Sequence, residues 1–276
     1  MTVSASFFGT DGIRGVVELW DVEEDEAIRL IEDERTLTPA FMRLVGEALS
    51  YTQPHLPGEG SVVVVGWDRR PGNQALVRAL TLGLRLTGSR VIHIGECATP
   101  TLHRAVLVFG ARAGCMITAS HNPVSDSGIK VFDTFGYKSN RDYEADVSQT
   151  VRQLAEEDRD VDVVDREALS KPDEDRPQWS ETAHRTWLAE RWGQFESMFG
   201  SWTDADPERF ASPFLIDCAN GFGATWLAAF LREHGVDCHE VSSPSAVLNE
   251  GCGAGDLSPT ALSLIHISEP TRLDGI

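Results

Sequence analysis

Basic side chains are scarce in this sequence. Its 276 residues carry 24 Lys and Arg against 43 Asp and Glu, which gives a formal net charge of −19 at pH 7. Because nucleic-acid backbones are bound through clustered Lys and Arg, this balance argues against a nucleic-acid partner. A site for an anionic substrate must therefore assemble its own positive charge. The acid is concentrated in DVEEDEAIRLIEDER (21–35) and between Glu156 and Glu181, which we interpret as solvated surface.

Long apolar runs are also missing. No stretch reaches the length of a membrane-spanning helix, so we expect no membrane partner. The opening MTVSASFFGTDGIRG has no basic segment followed by an apolar one, as a secretory signal would. The five cysteines are irregularly spaced and form no CxxC pair, which fits reduced thiols without a catalytic role. We therefore expect a cytoplasmic location.

The first half of the sequence alternates between β and α patterns. SVVVVGWD (61–68) and RVIHIG (90–95) are short apolar runs typical of buried parallel strands, and AGCMIT predicts another. NQALVRALTLGLRLTG, ending at Gly88, and TPTLHRAVLVFGA are predicted helices. GIKVFDTFGYK (128–138) predicts two short strands around a turn, and the pattern from about residue 141 to 160 predicts a helix. The fold class that follows is α/β, a mixed sheet flanked by helices with right-handed crossovers.

The same pattern predicts the domain organisation. We assign residues 1–180 to a complete first domain, and residues 181–261 to a linker helix and an incomplete second domain of similar architecture. Residues 262–276 differ from the rest, because LSLIHISEPTR (262–272) can be back-translated into a transposon adapter used in DNA library preparation. We interpret this tail as adapter-derived and expect it to pack poorly. The reading frame would then have been cut within the second domain.

The strongest chemical motif is ITASHNPVSDSGIK (117–130). A predicted strand leads into a loop that holds Ser120 and His121, and a Gly-flanked return leads to Lys130. A strand places a hydroxyl group rigidly at its carboxyl end, where α/β sheets form their ligand crevices. Lys130 returns beside that hydroxyl if the two strands are neighbours. A plain polar turn is the alternative, and the loop taken alone favours it.

Two further segments combine glycine with charge. FFGTDGIRG (7–15) allows close backbone approach to a ligand, and Arg14 is a bidentate phosphate donor. Its alternative is a Gly-rich turn with Arg14 in a surface ion pair. GWDRRPGN (66–73) ends a predicted strand in Asp68-Arg69-Arg70, for which a charged strand end is the alternative.

Together, these segments resemble the α-D-phosphohexomutase superfamily, which includes phosphoglucomutase, phosphomannomutase and phosphoglucosamine mutase. TASHNP followed by SGIKVF is the most specific element, and FGTDGIRG and GWDRRPGN are similar to the family's opening and its second strand end. LIDCANGFGA (215–224) resembles the start of its second domain. The resemblance covers nearly all of residues 6–261, and ASHNP with a GTDGIRG start leans toward phosphoglucosamine mutase.

The resemblance implies an intramolecular phosphotransferase that interconverts hexose 6-phosphate and hexose 1-phosphate. Ser120 would be a phosphoserine that donates its phosphoryl group to the hexose phosphate substrate and gives a bisphosphate. Lys130 would be the general acid/base, with His121 and Arg14 next to the phosphoserine. Mg²⁺ would take a phosphoryl oxygen on Ser120, which makes Ser120 the metal-binding residue.

A phosphoserine carries about −1.5 to −2 charges at neutral pH, so cations must surround it. We therefore predict a positive pocket near Ser120 that contains Arg14, Lys130 and at least one of Arg69 and Arg70.

The sequence departs from the family's pattern in three places. It contains no DGDxDR metal loop, no sugar-recognition loop of a third domain and no phosphate-clamping fourth domain. We expect the chain alone to be inactive, so a non-enzymatic fragment of such an enzyme is the alternative function.

Three other motifs are rejected. Ser127 and Lys130 fit an SxxK spacing, but its companion motifs are missing. Ser120 and His121 are adjacent, but no acid is evident that would complete a triad. NGFGATW (220–226) follows a predicted strand, but Trp226 stands where a dinucleotide fingerprint needs a small residue, which argues against an NAD-binding oxidoreductase.

Overall fold

The computed structural model describes residues 6–56, 58, 60–157, 164–201, 212–243 and 245–250. They form two compact units. The first comprises the residues up to Ala119 and Ser125–Ser180, and the second comprises Ser120–Val124 and the residues from Glu181 onward. Within the described part of the chain, no helix is both long enough and apolar enough to cross a membrane.

The first unit alternates strands and helices as the sequence predicts. Its strands are β1 Ile13–Val17, β2 Thr36–Leu37, β3 Val62–Trp67, β4 Arg90–Glu96, β5 Ala113–Ile117, β6 Asp126–Asp133 and β7 Glu174–Asp175. Its helices are α1 Glu24–Asp33, α2 Pro39–Thr52, α3 Asn73–Leu86, α4 Thr99–Phe109, α5 Arg141–Glu156 and α6 Arg166–Leu169, with a short 3-10 helix at Gln53–His55.

The strands form one mixed sheet in the order β2–β1–β6–β5–β3–β4–β7. Strand β3 is parallel to both β4 and β5, whereas β6 is antiparallel to β5 and to β1. This confirms the predicted α/β class. The prediction of two strands in 128–138 is corrected, because that segment contains the end of β6, a turn and one isolated bridge between Phe132 and Lys138.

Both faces of the sheet are covered by helices. Successive side chains of a strand point to opposite faces, and β3 shows this directly. Val63 and Val65 belong to the core that includes residues of α1, α2, α3 and α5, while Val64 belongs to the core that includes residues of α4. Helices α2 and α3 lie close together, because a side chain at Gly83 would overlap the backbone oxygen of Arg43.

The acidic segment 21–35 is mostly exposed, which agrees with its interpretation as solvated surface, but it is also structured. It contains helix α1, whose Ala27 and Ile31 are fully buried. These two residues are four positions apart and therefore lie on one helix face. The acidic stretch before Glu181 likewise holds α6 and the edge strand β7. Apolar spacing within an acidic segment was the sequence signal for α1.

The second unit contains a long helix followed by a strand–helix–strand arrangement. It contains most of α7 Trp179–Phe199, then β8 Phe214–Ile216, a 3-10 helix at Phe222–Thr225, α8 Leu227–Glu233 and β9 Cys238–Glu240. Strands β8 and β9 are parallel. The proposed domain bounds stay a prediction. The adapter interpretation of residues 262–276 falls outside the described residues.

Candidate active site

The turn between β5 and β6 carries the strongest motif. The two strands are antiparallel neighbours, with Lys130 opposite Met116 and Ile129 opposite Ile117. Beyond the paired residues, the backbone nitrogen of Thr118 donates to the carbonyl oxygen of Gly128 at 3.0 Å. The condition set for Lys130, that its strand lie beside the strand leading to Ser120, is met.

Strand β1 brings Arg14 to the other side of β6, where Arg14 is paired with Gly128. The tight turn before it closes through a 2.8 Å bond from the nitrogen of Gly9 to the oxygen of Gly12. Gly12 has a φ of +98°, and a side chain there would overlap the carbonyl oxygen of Ile129. Glycine at this position therefore lets the FGTDGIRG turn press against β6.

Asp11 connects the basic side chains of this turn. Its Oδ2 lies 2.6 Å from Lys130 Nζ and 3.0 Å from Arg14 Nη2, and its Oδ1 lies 3.8 Å from Lys138 Nζ. Burial raises the pKa of Asp11, but the hydrogen bond from Lys130 and the charges of Lys130, Lys138 and Arg14 outweigh it, so the pKa lies below its usual value. Asp11 therefore remains ionised and holds Lys130 and Arg14 together.

Asp11 was not among the site residues predicted from sequence. Its only signal was its place between the glycines of FGTDGIRG. The prediction that Arg14 and Lys130 converge agrees with this geometry. That they face a phosphoserine at Ser120 stays a prediction.

Arg69 and Arg70 do not join that cluster through the contacts described. Arg69 Nε lies 2.7 Å from Glu96 Oε1. Arg70 has only 1% of its side chain exposed; its Nε donates to Asp68 Oδ2 at 3.1 Å and its Nη1 to the carbonyl oxygen of Asp126 at 2.8 Å. That Arg69 or Arg70 lies near Ser120 stays a prediction.

Asp68 is the centre of a buried network at the base of the turn. Thr118 Oγ1 donates to Asp68 Oδ2 at 2.6 Å, and Asn73 Nδ2 donates to Asp68 Oδ1 at 2.6 Å. Asn73 Nδ2 also reaches the carbonyl oxygen of Ile117 at 3.2 Å. At the start of β6, Arg70 donates to the carbonyl oxygen of Asp126, as described above. The ends of β5 and β6 are therefore tied to the end of β3 by charge-assisted hydrogen bonds.

Ser127 lies in the same network and has no access to solvent. Its hydroxyl donates to Asn73 Oδ1, and its exposed fraction is 0%. A buried, donating hydroxyl cannot act as a nucleophile on an external substrate, which agrees with the rejection of the SxxK motif.

Ser120 and His121 lie in the loop that belongs to the second unit, and both are exposed. Ser120 has a left-handed backbone, with a φ of +59°. Asn249 Nδ2 donates to the carbonyl oxygens of Ser120 and Asn122, each at 3.0 Å. Along the chain, Ser120 directly follows Ala119, which is fully buried.

The described residues do not supply a metal site by themselves. Among them, no group of three or more His, Cys, Asp or Glu side chains is placed to hold a metal ion. Protein Mg²⁺ sites combine one or two carboxylates with phosphate oxygens and waters, so a phosphorylated Ser120 would supply only part of such a site.

Comparison with known proteins points in one direction. Residues 5–158 match the family described as phosphoglucomutase/phosphomannomutase, alpha/beta/alpha domain I. Phosphoglucosamine mutase of Caldanaerobacter subterraneus is 29% identical over 252 residues, 90% of this chain and 48% of that protein. Phosphoglucosamine mutase of Frankia casuarinae is 39% identical over 132 residues, 48% of this chain and 27% of that protein.

Solved structures agree. A Thermus thermophilus structure named as a phosphomannomutase shares 26% identity with a TM-score of 0.61, covering 91% of this chain and 49% of the other. The chain spans about half the length of curated relatives such as those of Caldanaerobacter and Staphylococcus epidermidis. Since the domain I match covers more than half of the 276 residues, the chain belongs to the phosphoglucomutase/phosphomannomutase family.

Proposed function

We propose that the protein carrying this chain is a phosphohexomutase that interconverts hexose 6-phosphate and hexose 1-phosphate. The observation that carries the proposal is the convergence of Lys130 and Arg14 on Asp11, beside the strand that leads to the TASHNP loop. Two cations brought together in a protein of net charge −19 support an anionic substrate.

In the proposed mechanism, phosphorylated Ser120 is the carrier. The bond between Ser120 Oγ and phosphorus breaks as a sugar hydroxyl attacks. The ammonium group of Lys130 gives a proton to the departing Oγ and takes one from the attacking hydroxyl, so it acts as both general acid and general base and keeps its charge. The product is a hexose bisphosphate. After the bisphosphate turns in the site, the hydroxyl of Ser120 attacks the other phosphoryl group, its proton passes to Lys130, and Lys130 protonates the departing sugar oxygen.

The neighbouring side chains provide charge and orientation. Phosphoryl transfer depends mainly on positioning and on neutralising the phosphoryl oxygens. Arg14 is proposed to donate to those oxygens, and His121, exposed in the same loop, is proposed to lie next to them. Ionised Asp11 fixes the amine of Lys130 at 2.6 Å, which orders a side chain that would otherwise sample many rotamers.

The metal ion and the identity of the sugar are two further parts of the proposal. We propose Mg²⁺ on a phosphoryl oxygen of Ser120, with its remaining ligands supplied from outside the described residues. Because several relatives are named phosphoglucosamine mutase, glucosamine phosphate is the first substrate to test, before mannose and glucose phosphates. We also propose a cytoplasmic location, which membership of this family supports.

The test is a mutase assay on the product of the full reading frame that encodes this chain. Ser120→Ala should remove nearly all turnover, since it deletes the phosphoryl carrier. Ser125→Ala, which changes an exposed serine near the same turn, is the matched control and should leave turnover unchanged. Unchanged turnover in Ser120→Ala would reject the mechanism.

A further inference from the structure

Ser120 has a backbone conformation that serine seldom adopts. Its φ of +59° lies in the left-handed region, where a side chain crowds the following carbonyl group. A non-glycine residue persists there only when its surroundings hold it. The loop must therefore contain contacts that favour this conformation.

Asn249 provides such contacts. Its side-chain nitrogen donates to the carbonyl oxygens of both Ser120 and Asn122, each at 3.0 Å. One amide group thus bridges the two carbonyls on either side of His121. Asn249 is only 7% exposed, so competition from water is limited.

Asn249 is itself held in place. It is left-handed, with a φ of +61°, and its backbone nitrogen donates to the carbonyl oxygen of Ala219 at 2.9 Å. Asn220 Nδ2 donates to the carbonyl oxygens of Val247 and Glu250, on either side of Asn249, each at 2.9 Å. The turn formed by DCANG (217–221) therefore fixes the segment that presents the Asn249 side chain.

We propose that Asn249 is a positioning residue that keeps the Ser120 loop in the left-handed conformation required for phosphoryl transfer. Its importance for catalysis rests on the proposed role of Ser120 as phosphoryl carrier. The claim that Asn249 holds the loop in its left-handed conformation does not depend on that role. In enzymes, a displacement of about 1 Å at a reacting group can cost about 100-fold in rate, so a nucleophile on an exposed loop needs such support.

The test uses two variants that tolerate a left-handed backbone. Asn249→Gly removes the side chain, and Asn249→Asp keeps its shape but replaces the donor with a carboxylate that repels both carbonyls. Val247→Ala, at a half-exposed side chain of the same segment, is the matched control. Amide order parameters for residues 120–122 and 124 are measured by ¹⁵N relaxation on the 276-residue chain, together with its thermal midpoint.

The proposal expects order parameters near 0.85 in the parent and in Val247→Ala, and values below about 0.6 in both Asn249 variants. The amides of β3 and β5 should not change. Unchanged order in the loop of both Asn249 variants would overturn the proposal, and so would equal loosening of β3 and β5, which would mean a general loss of structure.

Mass spectrometry of Ser120 separates this proposal from the function. The phosphate content of Ser120 is measured in the product of the full reading frame. If Ser120 carries phosphate but Asn249→Gly leaves the loop ordered, the proposed phosphohexomutase function is supported and the positioning role of Asn249 is rejected. If Asn249→Gly loosens the loop but Ser120 carries no phosphate, the positioning role of Asn249 is supported and the role of Ser120 as phosphoryl carrier is rejected.

Discussion

Thr118→Val should destabilise the first unit by removing the hydrogen bond between the Thr118 hydroxyl and Asp68, with almost no change in side-chain shape. Thr118 is 5% exposed, and its hydroxyl donates to Asp68 Oδ2 at 2.6 Å. The bond to an ionised acceptor is worth about 1.5–3 kcal/mol. Arg70 and Asn73 continue to donate to Asp68, so its carboxylate is not left without partners. We expect a loss of about 2 kcal/mol in the free energy of unfolding.

The assay is urea-dependent hydrogen exchange resolved by peptide, since peptides of β3 and β5 report the first unit separately from the second. Thr186→Val is the control, because Thr186 is exposed on α7 and its hydroxyl donates to the carbonyl oxygen of Thr182 in the preceding helical turn. It should change the unfolding free energy by less than about 0.5 kcal/mol. A Thr118→Val loss no larger than that of the control would refute the inferred strength of the Asp68 network.

Three further perturbations address the site and its support. Lys130→Met should slow phosphoryl transfer about 10²–10⁴-fold with the fold retained, as measured by turnover and circular dichroism; an unchanged rate would exclude Lys130 as acid/base. Arg70→Met should cost about 3–5 kcal/mol in urea unfolding, because it leaves Asp68 without its buried cation; a loss under about 1 kcal/mol would contradict that role. Burial lowers the pKa of His93 to about 4 from 6.5, so stability present above pH 6.5 should be lost as the pH falls toward 4. His93→Gln should reduce the loss of unfolding free energy between pH 7 and pH 4.5 by about 2–3 kcal/mol. A variant whose unfolding free energy falls with pH as steeply as that of the parent would contradict the lowered pKa of His93.

The elements of the first unit could largely be predicted from sequence, because buried parallel strands and their helices leave strong apolar patterns. The β5 and β6 strands and the position of Lys130 follow from the apolar run before TASHNP and the glycine after it. Helix α1 could have been found from Ala27 and Ile31, but its acidic composition concealed it. The edge strand β7 has only two residues, too few for any pattern.

Side-chain partners could not be predicted, since they depend on register between strands distant in sequence. Asp11 reaches Lys130 because β1 pairs antiparallel with β6, which no local pattern specifies. Arg69 and Arg70 are neighbours with the same chemistry, yet one pairs with Glu96 and the other is buried against Asp68. The contact of Asn249 with the Ser120 loop joins segments far apart in the chain, with a separation of 129 positions between donor and acceptor.

The central claim is that Ser120 carries the phosphoryl group. The most direct measurement incubates the product of the full reading frame with ³²P-labelled hexose 1,6-bisphosphate and maps the label by peptide sequencing. The account predicts label on Ser120 in the parent and in Ser125→Ala, and none in Ser120→Ala. Label on another residue, or equal labelling of Ser120→Ala, would contradict it.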